Sequence, residues 1–332
     1  MPESTFGAVI GMWSSSMRYD TEHPMPRENP PNPAGFRTGY VAIVGRPNVG
    51  KSTLINRLVG HDLSIVSARP QTTWHRILGI KNLPGAQLLF LDTPGIHESE
   101  ALFNRHLMRS AERALADADV IAWLIDAGEA DHPDDTLILD TIRRSTRRVP
   151  VLLAPNKVDR VAKPLLLPLI ARWRTVHPFA EIVPISAATG DNVDRLEGLL
   201  ARMLPPGRPL YPPEDLSDRP ERFFIAEAVR GQAFALLRQE LPYAVAVEVG
   251  TVRAREGTHL TDVEATIYVE KDTQKGIVIG ARGAMLKRIG AAARPAIEEL
   301  LGTRVFLKLH VKVGEAWRKD PGALRRFGYA EP

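Results

Sequence analysis

Between about Tyr40 and Leu204, short apolar runs alternate with longer segments whose apolar positions recur every three or four residues. The short runs have the length and composition of buried strands, and the longer segments have helical spacing. Alternation of this kind predicts an α/β fold, with a mostly parallel sheet covered by helices on both faces. The predicted strands are Tyr40–Val44, Gln87–Leu91, Asp119–Ile125, Val151–Ala154 and Glu181–Ile185.

A different pattern follows residues 205–220, a segment that contains six prolines. Proline at this density favours a semi-rigid linker. Beyond the linker, the periodicity predicts the order α-β-β-α-α-β, which is a smaller α+β domain with a glycine-containing break between its last two helices. The predicted elements are a helix at Phe223–Leu241, strands at Tyr243–Val252 and Val263–Val269, two helices within Gln274–Leu301 and a strand at Arg304–Val313.

Four segments are therefore expected along the 332-residue chain. Residues 1–38 are rich in Pro, Ser, Asn and Gly and show no periodicity, so they are predicted to be a disordered tail. Residues 39–204 are predicted to form the α/β domain and residues 205–220 the linker. Residues 221–332 are predicted to form the second domain together with a C-terminal tail.

Composition and charge reduce the range of possible functions. The chain has no cysteine, which excludes disulfides, thiolate metal sites and cysteine nucleophiles and is typical of a reducing cytoplasm. Its apolar runs are all far shorter than the ~18 residues of a membrane span. The residues from Glu221 onward hold 18 Lys/Arg and 14 Asp/Glu, which accounts for the whole net charge of +4. This excess predicts a polyanionic partner for the second domain.

The first chemical motif is GRPNVGKS, which runs from Gly45 to Ser52 between a predicted strand and a predicted helix. Glycines let backbone N–H groups turn toward phosphate oxygens, and the helix N-terminus adds partial positive charge. Lys51 is predicted to bridge the β- and γ-phosphates, and Ser52 to bind Mg²⁺. The predicted contacts in this loop are Gly45, Arg46, Pro47, Asn48, Val49, Gly50, Lys51, Ser52 and Thr53.

The second motif is DTPG, which follows the predicted strand LLFLD. Asp92, at the strand end, is predicted to hold Mg²⁺, and Gly95 to offer a backbone N–H to the γ-phosphate. Ile96 occupies the position at which Ras-like proteins carry the glutamine that orients the attacking water. An apolar side chain cannot orient water, so slow intrinsic hydrolysis is expected. The predicted contacts here are Asp92, Thr93, Pro94, Gly95 and Ile96.

The third and fourth motifs, NKVD at Asn156–Asp159 and SA at Ser186–Ala187, each follow a predicted strand. Guanine presents two neighbouring donors, N1–H and the 2-amino group, which one carboxylate accepts and which adenine lacks. Asp159 is therefore predicted to select guanine. Asn156 is expected to tether the P-loop, and a backbone N–H of the SA motif to reach O6. The predicted base contacts are Asn156, Lys157, Val158, Asp159, Ser186 and Ala187.

The order of these motifs resembles that of translation-factor-like GTPases, and the segment PQTTWHRILGI at Pro70–Ile80 narrows the resemblance to the Era family. The resemblance implies that Thr73, beside Thr72, is the switch threonine that reaches Mg²⁺. Trp74 stands where Era proteins commonly have arginine. The metal ligands expected on this basis are Ser52, Thr73 and Asp92.

Asn48 resembles the asparagine that binds K⁺ in related GTPases, where the cation supplies the charge of an arginine finger. The alternative is a structural asparagine that shapes the loop. The cofactors expected are Mg²⁺ and, through Asn48, K⁺. The catalytic candidates are Lys51, Thr73 and Asn48.

In the second domain, Gly280–Gly283 resembles the GxxG loop with which KH domains hold nucleic-acid backbone. Its place between two helices of the α-β-β-α-α-β order resembles a type II KH domain, and the strand at Val305–Val313 resembles the end of that domain in Era proteins. Six basic residues and one acidic residue lie between Lys271 and Arg294. The predicted RNA contacts are Lys275, Gly280, Ala281, Arg282, Gly283, Lys287 and Arg288.

The resemblance implies a GTP-hydrolysing switch that binds the 3′ region of small-subunit (16S) rRNA and assists assembly of the 30S subunit. It also implies a cytoplasmic monomer with a peripheral contact to the inner face of the cell membrane. Three other functions stay open: a GTP-gated RNA-binding scaffold with negligible turnover, a GTPase acting on another RNA, and a P-loop ATPase or kinase. The Trp317–Lys319 segment is expected to be a surface end of the chain.

Overall fold

The computed structural model describes residues 35–64, 77–92, 113–129, 132–144 and 148–327. Its larger sheet has six strands in the order β2-β3-β1-β4-β5-β6. Neighbouring strands are parallel except for β2, which is antiparallel to β3. The strands are β1 (Arg37–Val44), β2 (Ile77–Leu83), β3 (Ala86–Asp92), β4 (Val120–Asp126), β5 (Val151–Asn156) and β6 (Glu181–Ile182).

Within the described ranges, the helices that accompany this sheet include α1 (Lys51–Val59), α2 (Pro133–Arg144), α3 (Leu166–Val176) and α4 (Val193–Met203). Alternate residues of β1 face opposite sides, because side chains alternate along a strand. Val41 and Ile43 belong to the core under α1 and α4. Ala42 and Val44 belong to the core under α2 and α3. The α/β fold with helices on both faces is therefore confirmed.

The structure differs from the sequence prediction at both edges of this sheet. Strand β2 was not predicted, because its residues were interpreted only as part of the Pro70–Ile80 motif. The strand predicted at Glu181–Ile185 is shortened to Glu181–Ile182. Val183 and Ile185 still donate backbone N–H bonds to Leu153 and Pro155, so the chain continues alongside β5 without regular pairing.

The linker lies against the β2–β3 hairpin and the start of β1. Its residues Leu210 and Tyr211 both donate backbone N–H bonds to Gln87 Oε1, at 2.7 and 3.0 Å. Gln87 Nε2 donates to Tyr211 O at 2.8 Å. Further along, Ile80 N–H donates to Leu216 O at 2.9 Å. The linker is thus held by backbone hydrogen bonds as well as stiffened by proline.

The C-terminal residues form a three-stranded sheet in the order β7-β8-β9, with β7 antiparallel and β9 parallel to β8. The α-β-β-α-α-β order is confirmed, and a short helix follows it. The elements are α5 (Glu221–Leu236), β7 (Ala246–Ala254), β8 (Leu260–Val269), α6 (Asp272–Ile279), α7 (Ala284–Leu301), β9 (Arg304–Val313) and α8 (Pro321–Arg326). One face of the sheet packs on α5 and α7 through fully buried side chains such as Val229, Ile267 and Ile289.

Trp317 corrects the expectation of a surface end at Trp317–Lys319. It is 1% exposed, and its Nε1–H donates to Ala244 O at 3.1 Å. The short α8 folds back over the sheet, so that Tyr268, Leu324 and Phe327 pack around the indole. Trp317 is therefore buried in a small apolar cluster of the second domain, whereas Lys319 is exposed as expected.

Candidate nucleotide site and nucleic-acid surface

The P-loop connects the end of β1 at Val44 to the start of α1 at Lys51. Gly50 has φ +103°, and a Cβ at this position would lie 2.3 Å from Asn156 Nδ2. Only glycine combines this backbone conformation with so close a neighbour. The requirement places the NKVD asparagine directly against the loop.

Lys51 is buried at the mouth of the loop. Its ammonium group donates to Gly45 O at 2.9 Å and to Arg46 O at 3.0 Å. Burial lowers the Lys51 pKa to about 8, and the nearby charge of Asp92 partly opposes this shift. A cation held in this way is stabilised by an incoming anion, as a phosphate-binding lysine must be.

The two described candidates for binding Mg²⁺ lie together. Ser52 Oγ is 3.3 Å from Asp92 Oδ2 at the end of β3, and Asp92 is fully buried. Ser64 Oγ also donates to Asp92 Oδ2, at 2.7 Å, and was not anticipated from the sequence. A hydroxyl and a carboxylate at this distance fit a hard cation that prefers oxygen ligands.

On the base side, Asn156 joins the two ends of the site. Its Nδ2 donates to Val49 O in the P-loop at 2.7 Å, and its Oδ1 accepts the Ala187 N–H at 2.9 Å. Ser186 Oγ donates to Asp159 Oδ1 at 2.6 Å. The NKVD and SA motifs, which are distant in sequence, therefore form one hydrogen-bonded group with the P-loop.

Lys157 has the left-handed φ of +66°, and its ammonium lies 2.7 Å from Asp126 Oδ2 at the end of β4. Partial burial raises the Asp126 pKa, but the Lys157 hydrogen bond and charge outweigh it and the pKa is lowered overall. Asp126 was missed because it ends β4 without belonging to a recognisable motif. The pair holds the Lys157 stem in a fixed direction.

Arg46 points away from the phosphate cradle and joins the P-loop to the loop after β4. Its Nη1 donates to Glu129 Oε2 at 2.7 Å, and its Nε lies 3.6 Å from Asp135 Oδ2. Burial raises the Asp135 pKa to about 6, a shift that Arg46 and His132 oppose and Asp134 and Asp126 reinforce. No motif in the sequence indicated that Glu129 or Asp135 would contact the P-loop.

Several predicted site residues lie outside the described part of the chain. Asn48 is described: it is exposed and has a left-handed φ of +60°, which asparagine tolerates better than most residues. Val158 begins a short 3₁₀ turn after Lys157. The residues outside the described ranges are Thr72, Thr73, Trp74, Thr93, Pro94, Gly95 and Ile96.

The candidate nucleic-acid surface lies between α6 and α7. Gly280 has φ +71°, and a Cβ there would lie 2.8 Å from Met285 N, so the turn requires glycine. Arg282 projects from the turn with φ +49° and is exposed. Lys287 and Arg288 are exposed on the first turns of α7, and Ile277 on α6 is 57% exposed.

The turn and α7 thus expose positive charge, and α6 exposes an apolar side chain. Positive charge suits a nucleic-acid backbone, and an apolar side chain suits its bases. Lys275 lies on α6, and Ala281 is exposed in the turn with Arg282. Within the described ranges there is no cluster of three or more His, Cys, Asp or Glu that could hold a metal ion. The described helices are also all too short or too polar to cross a membrane.

Comparison with known proteins gives two family models. One, described as a 50S ribosome-binding GTPase, matches residues 40–157, and the other, a KH domain, matches residues 240–318. Among curated proteins, the chain is 48% identical to the GTPase Era of Geobacter metallireducens over 294 residues, which are 89% of this chain and 98% of the relative. It is 44% identical to the GTPase Era of Syntrophus aciditrophicus, with coverage of 89% and 96%.

Two solved structures are similar over most of the chain. One is Era in complex with MgGDPNP and nucleotides 1506–1542 of 16S ribosomal RNA, with a TM-score of 0.84 and 41% identity. The other is an Aquifex aeolicus Era variant bound to GDP·AlF₄⁻, also with a TM-score of 0.84 and 41% identity. In each case 89% of this chain and the whole of the other chain are covered.

Proposed function

Because this chain belongs to the Era family of GTPases, we propose that it binds the 3′ region of 16S rRNA through its KH domain and assists assembly of the 30S subunit. The chain hydrolyses GTP, as its family does. The observation that carries the proposal is the exposed GxxG turn with its basic neighbours, in the domain order of an Era protein that binds this RNA region.

The nucleotide site proposed here joins four segments. The P-loop, with Lys51, holds the phosphates, and Asp159 selects guanine. Mg²⁺ is held by Ser52 and Asp92, a donor pair whose 3.3 Å separation fits the ion, with Thr73 as a further ligand. Mg²⁺ would neutralise charge on the phosphates while the protein orients them.

Slow hydrolysis that depends on K⁺ remains our proposal for catalysis. Asn48 is exposed in the P-loop and has a carboxamide oxygen that suits K⁺. Its left-handed backbone also supports the alternative, a purely structural asparagine. Equal hydrolysis rates in KCl and NaCl at matched ionic strength would contradict the role of K⁺.

We also propose that GTP changes the relation between the two domains. The linker is hydrogen-bonded to the β2–β3 hairpin, and this hairpin joins the two segments predicted to respond to the γ-phosphate. One of these segments contains Thr73, and the other begins after Asp92. Ordering of either segment would act on the hairpin, and through Gln87 on the linker.

Crosslinking in cells followed by sequencing of the bound RNA tests the RNA partner, with Gly283→Asp as the disrupting variant. Gly302→Asp is a matched control, because both glycines have left-handed φ and open space, and they lie at opposite ends of α7. We expect reads near the 3′ end of 16S rRNA that Gly283→Asp removes and Gly302→Asp keeps. Diffuse reads, or reads that both variants keep, would contradict the proposal.

Cytoplasmic location, a monomeric state and a peripheral contact with the inner face of the membrane are proposed together. The basic excess beyond Glu221 supports contact with an anionic surface. Fractionation at low and high salt tests it, because an electrostatic contact is released by salt. The crosslinking also separates this proposal from a GTPase that acts on another RNA.

A further inference from the structure

Arg57 lies on α1, less than two turns after Lys51, and reaches the loop that contains the SA motif. Its Nε donates to Ala187 O at 2.6 Å, and its Nη2 donates to Ala188 O. The planar guanidinium thus donates hydrogen bonds to two successive carbonyl oxygens. Arginine suits this arrangement because its N–H donors have a fixed planar geometry. Neither a motif nor the family comparison assigns Arg57 a role.

The same loop is held from its other side by the base-binding motifs. Asn156 Oδ1 accepts the Ala187 N–H at 2.9 Å, and Ser186 Oγ donates to Asp159. Gly190 gives the guanidinium room, because a Cβ there would lie 3.0 Å from Arg57 Nη1. The loop is therefore fixed between α1 on one side and the NKVD motif on the other.

The direction of the backbone carbonyl groups in this loop affects which purine can bind next to it. The C=O and N–H of a trans peptide point in opposite directions, and the described chain has no cis peptide. Because Arg57 holds the carbonyls of Ala187 and Ala188 on its own side, these acceptors are kept away from the base. A carbonyl turned toward position 6 of a purine would repel the O6 acceptor of guanine and favour the 6-amino donor of adenine.

We propose that Arg57 is a positioning residue for guanine recognition, which keeps the carbonyl groups of Ala187 and Ala188 away from O6. Because Arg57 holds the Ala187 carbonyl, the Ala188 N–H of the same trans peptide points the opposite way, toward O6. The inference rests on the proposed guanine site. Because α1 begins at the P-loop, Arg57 also joins the phosphate end of the site to the base end. Arg57 touches no reacting atom and acts through the loop alone.

The test compares GDP with 6-thio-GDP, in which a sulfur atom, a weak acceptor, replaces O6. Binding is measured on the full chain for wild type, Arg57→Ala, Arg57→Lys and the matched control Arg195→Ala, an exposed arginine on α4. We expect Arg57→Ala to weaken the binding of GDP by about 3- to 10-fold, which is the effect of losing a charged hydrogen bond at a partly exposed site. Its affinity for 6-thio-GDP should fall by less than about twofold.

Arg57→Lys should restore part of the preference for GDP over 6-thio-GDP, because the lysine ammonium can donate to one of the two carbonyl groups but not to both. Arg195→Ala should bind both ligands as wild type does. Equal losses for GDP and 6-thio-GDP in Arg57→Ala would overturn the proposal, since they would indicate a general loosening of the site. Unchanged GDP affinity would overturn it as well. A wild-type protein that binds ADP as tightly as GDP would instead contradict the proposed guanine site.

Discussion

At the scale of single residues, Asp159 is the side chain that we propose selects the base. It lies in the middle of a short 3₁₀ turn, and Ser186 Oγ donates to its Oδ1 at 2.6 Å. Arg160 Nε lies 3.8 Å from Oδ2, beyond hydrogen-bond distance, so both carboxylate oxygens keep acceptor capacity for the guanine donors. The geometry therefore leaves the group ready for a bidentate bond rather than consumed by internal pairing.

Asp159→Asn should replace guanine selectivity with xanthine selectivity. Xanthine carries a carbonyl where guanine carries the 2-amino group, and the asparagine amide can donate to that carbonyl. Guanine would lose a hydrogen bond to a charged acceptor, and one of its donors would be left unpaired. The affinity for GTP should therefore fall by about 100-fold or more. Competition between GTP and XTP measures the change, with Asp191→Asn, an exposed neighbour, as the control. Unchanged GTP preference would contradict the assigned role.

Asp135 gives the protein a pH-dependent term in its stability. Burial raises its pKa to about 6, so the folded protein favours the protonated carboxyl. The stability that Asp135 contributes is therefore fully present below about pH 4 and is lost as the pH rises through 6.

Asp135→Asn cannot ionise, so its free energy of unfolding relative to wild type should rise between pH 4 and pH 7. The upper limit is about 3 kcal/mol, from about 1.4 kcal/mol per pKa unit. Urea unfolding across this pH range measures the difference. Asp140→Asn, an exposed carboxylate on the same helix, should leave the shape of the profile nearly unchanged. A difference that is flat with pH for Asp135→Asn would contradict the prediction.

At the scale of elements, the linker and the β2–β3 hairpin behave as one unit. Gln87 is fully buried and makes hydrogen bonds to Asn82, Leu210 and Tyr211. Buried backbone groups that lose their partners destabilise a fold more than the bonds themselves stabilise it. Gln87 therefore makes three of the hydrogen bonds that hold the linker, beside the backbone bond between Ile80 and Leu216.

Gln87→Leu should destabilise this unit by about 2–3 kcal/mol, because the N–H groups of Leu210 and Tyr211 lose their acceptor. Protease cleavage between residues 205 and 220 should become faster, and urea unfolding should give the free energy. Asn82→Ala removes an exposed bond to Pro213 O and the acceptor of one Gln87 Nε2 bond, but it leaves the acceptor of the Leu210 and Tyr211 N–H groups in place and should cost only about 1 kcal/mol. Equal effects of the two variants would contradict the special role of Gln87.

At the scale of the whole molecule, we propose that the nucleotide site and the KH surface are coupled through the hairpin and the linker bonded to it. RNA should therefore bind with different affinity in the GTP and GDP states. Fluorescence anisotropy with a 16S 3′-end oligonucleotide and a non-hydrolysable GTP analogue measures this difference. A coupling of about 1–3 kcal/mol corresponds to a 5- to 150-fold change in affinity. Gln87→Leu should reduce the ratio, and equal affinities in wild type would refute the coupling.

The sequence alone predicted the parts of the fold whose signals are local. Five of the six strands of the larger sheet and the whole α-β-β-α-α-β order follow from apolar periodicity, which is set by neighbouring residues. The motifs also predicted that Lys51, Ser52, Asp92 and Asn156 would meet. This inference is reliable because the carboxyl ends of parallel strands lie at one edge of a sheet.

Only the tertiary structure decided the contacts between residues that no pattern connects. Arg57 and Ala187 are 130 positions apart, and Gln87 and Tyr211 are 124 apart. Such pairs depend on strand register and on how the linker returns over the sheet. Trp317 was wrongly expected at the surface, because its burial depends on α8 folding back over Tyr268. Local periodicity determines elements, whereas packing between distant segments determines which side chains within them become functional.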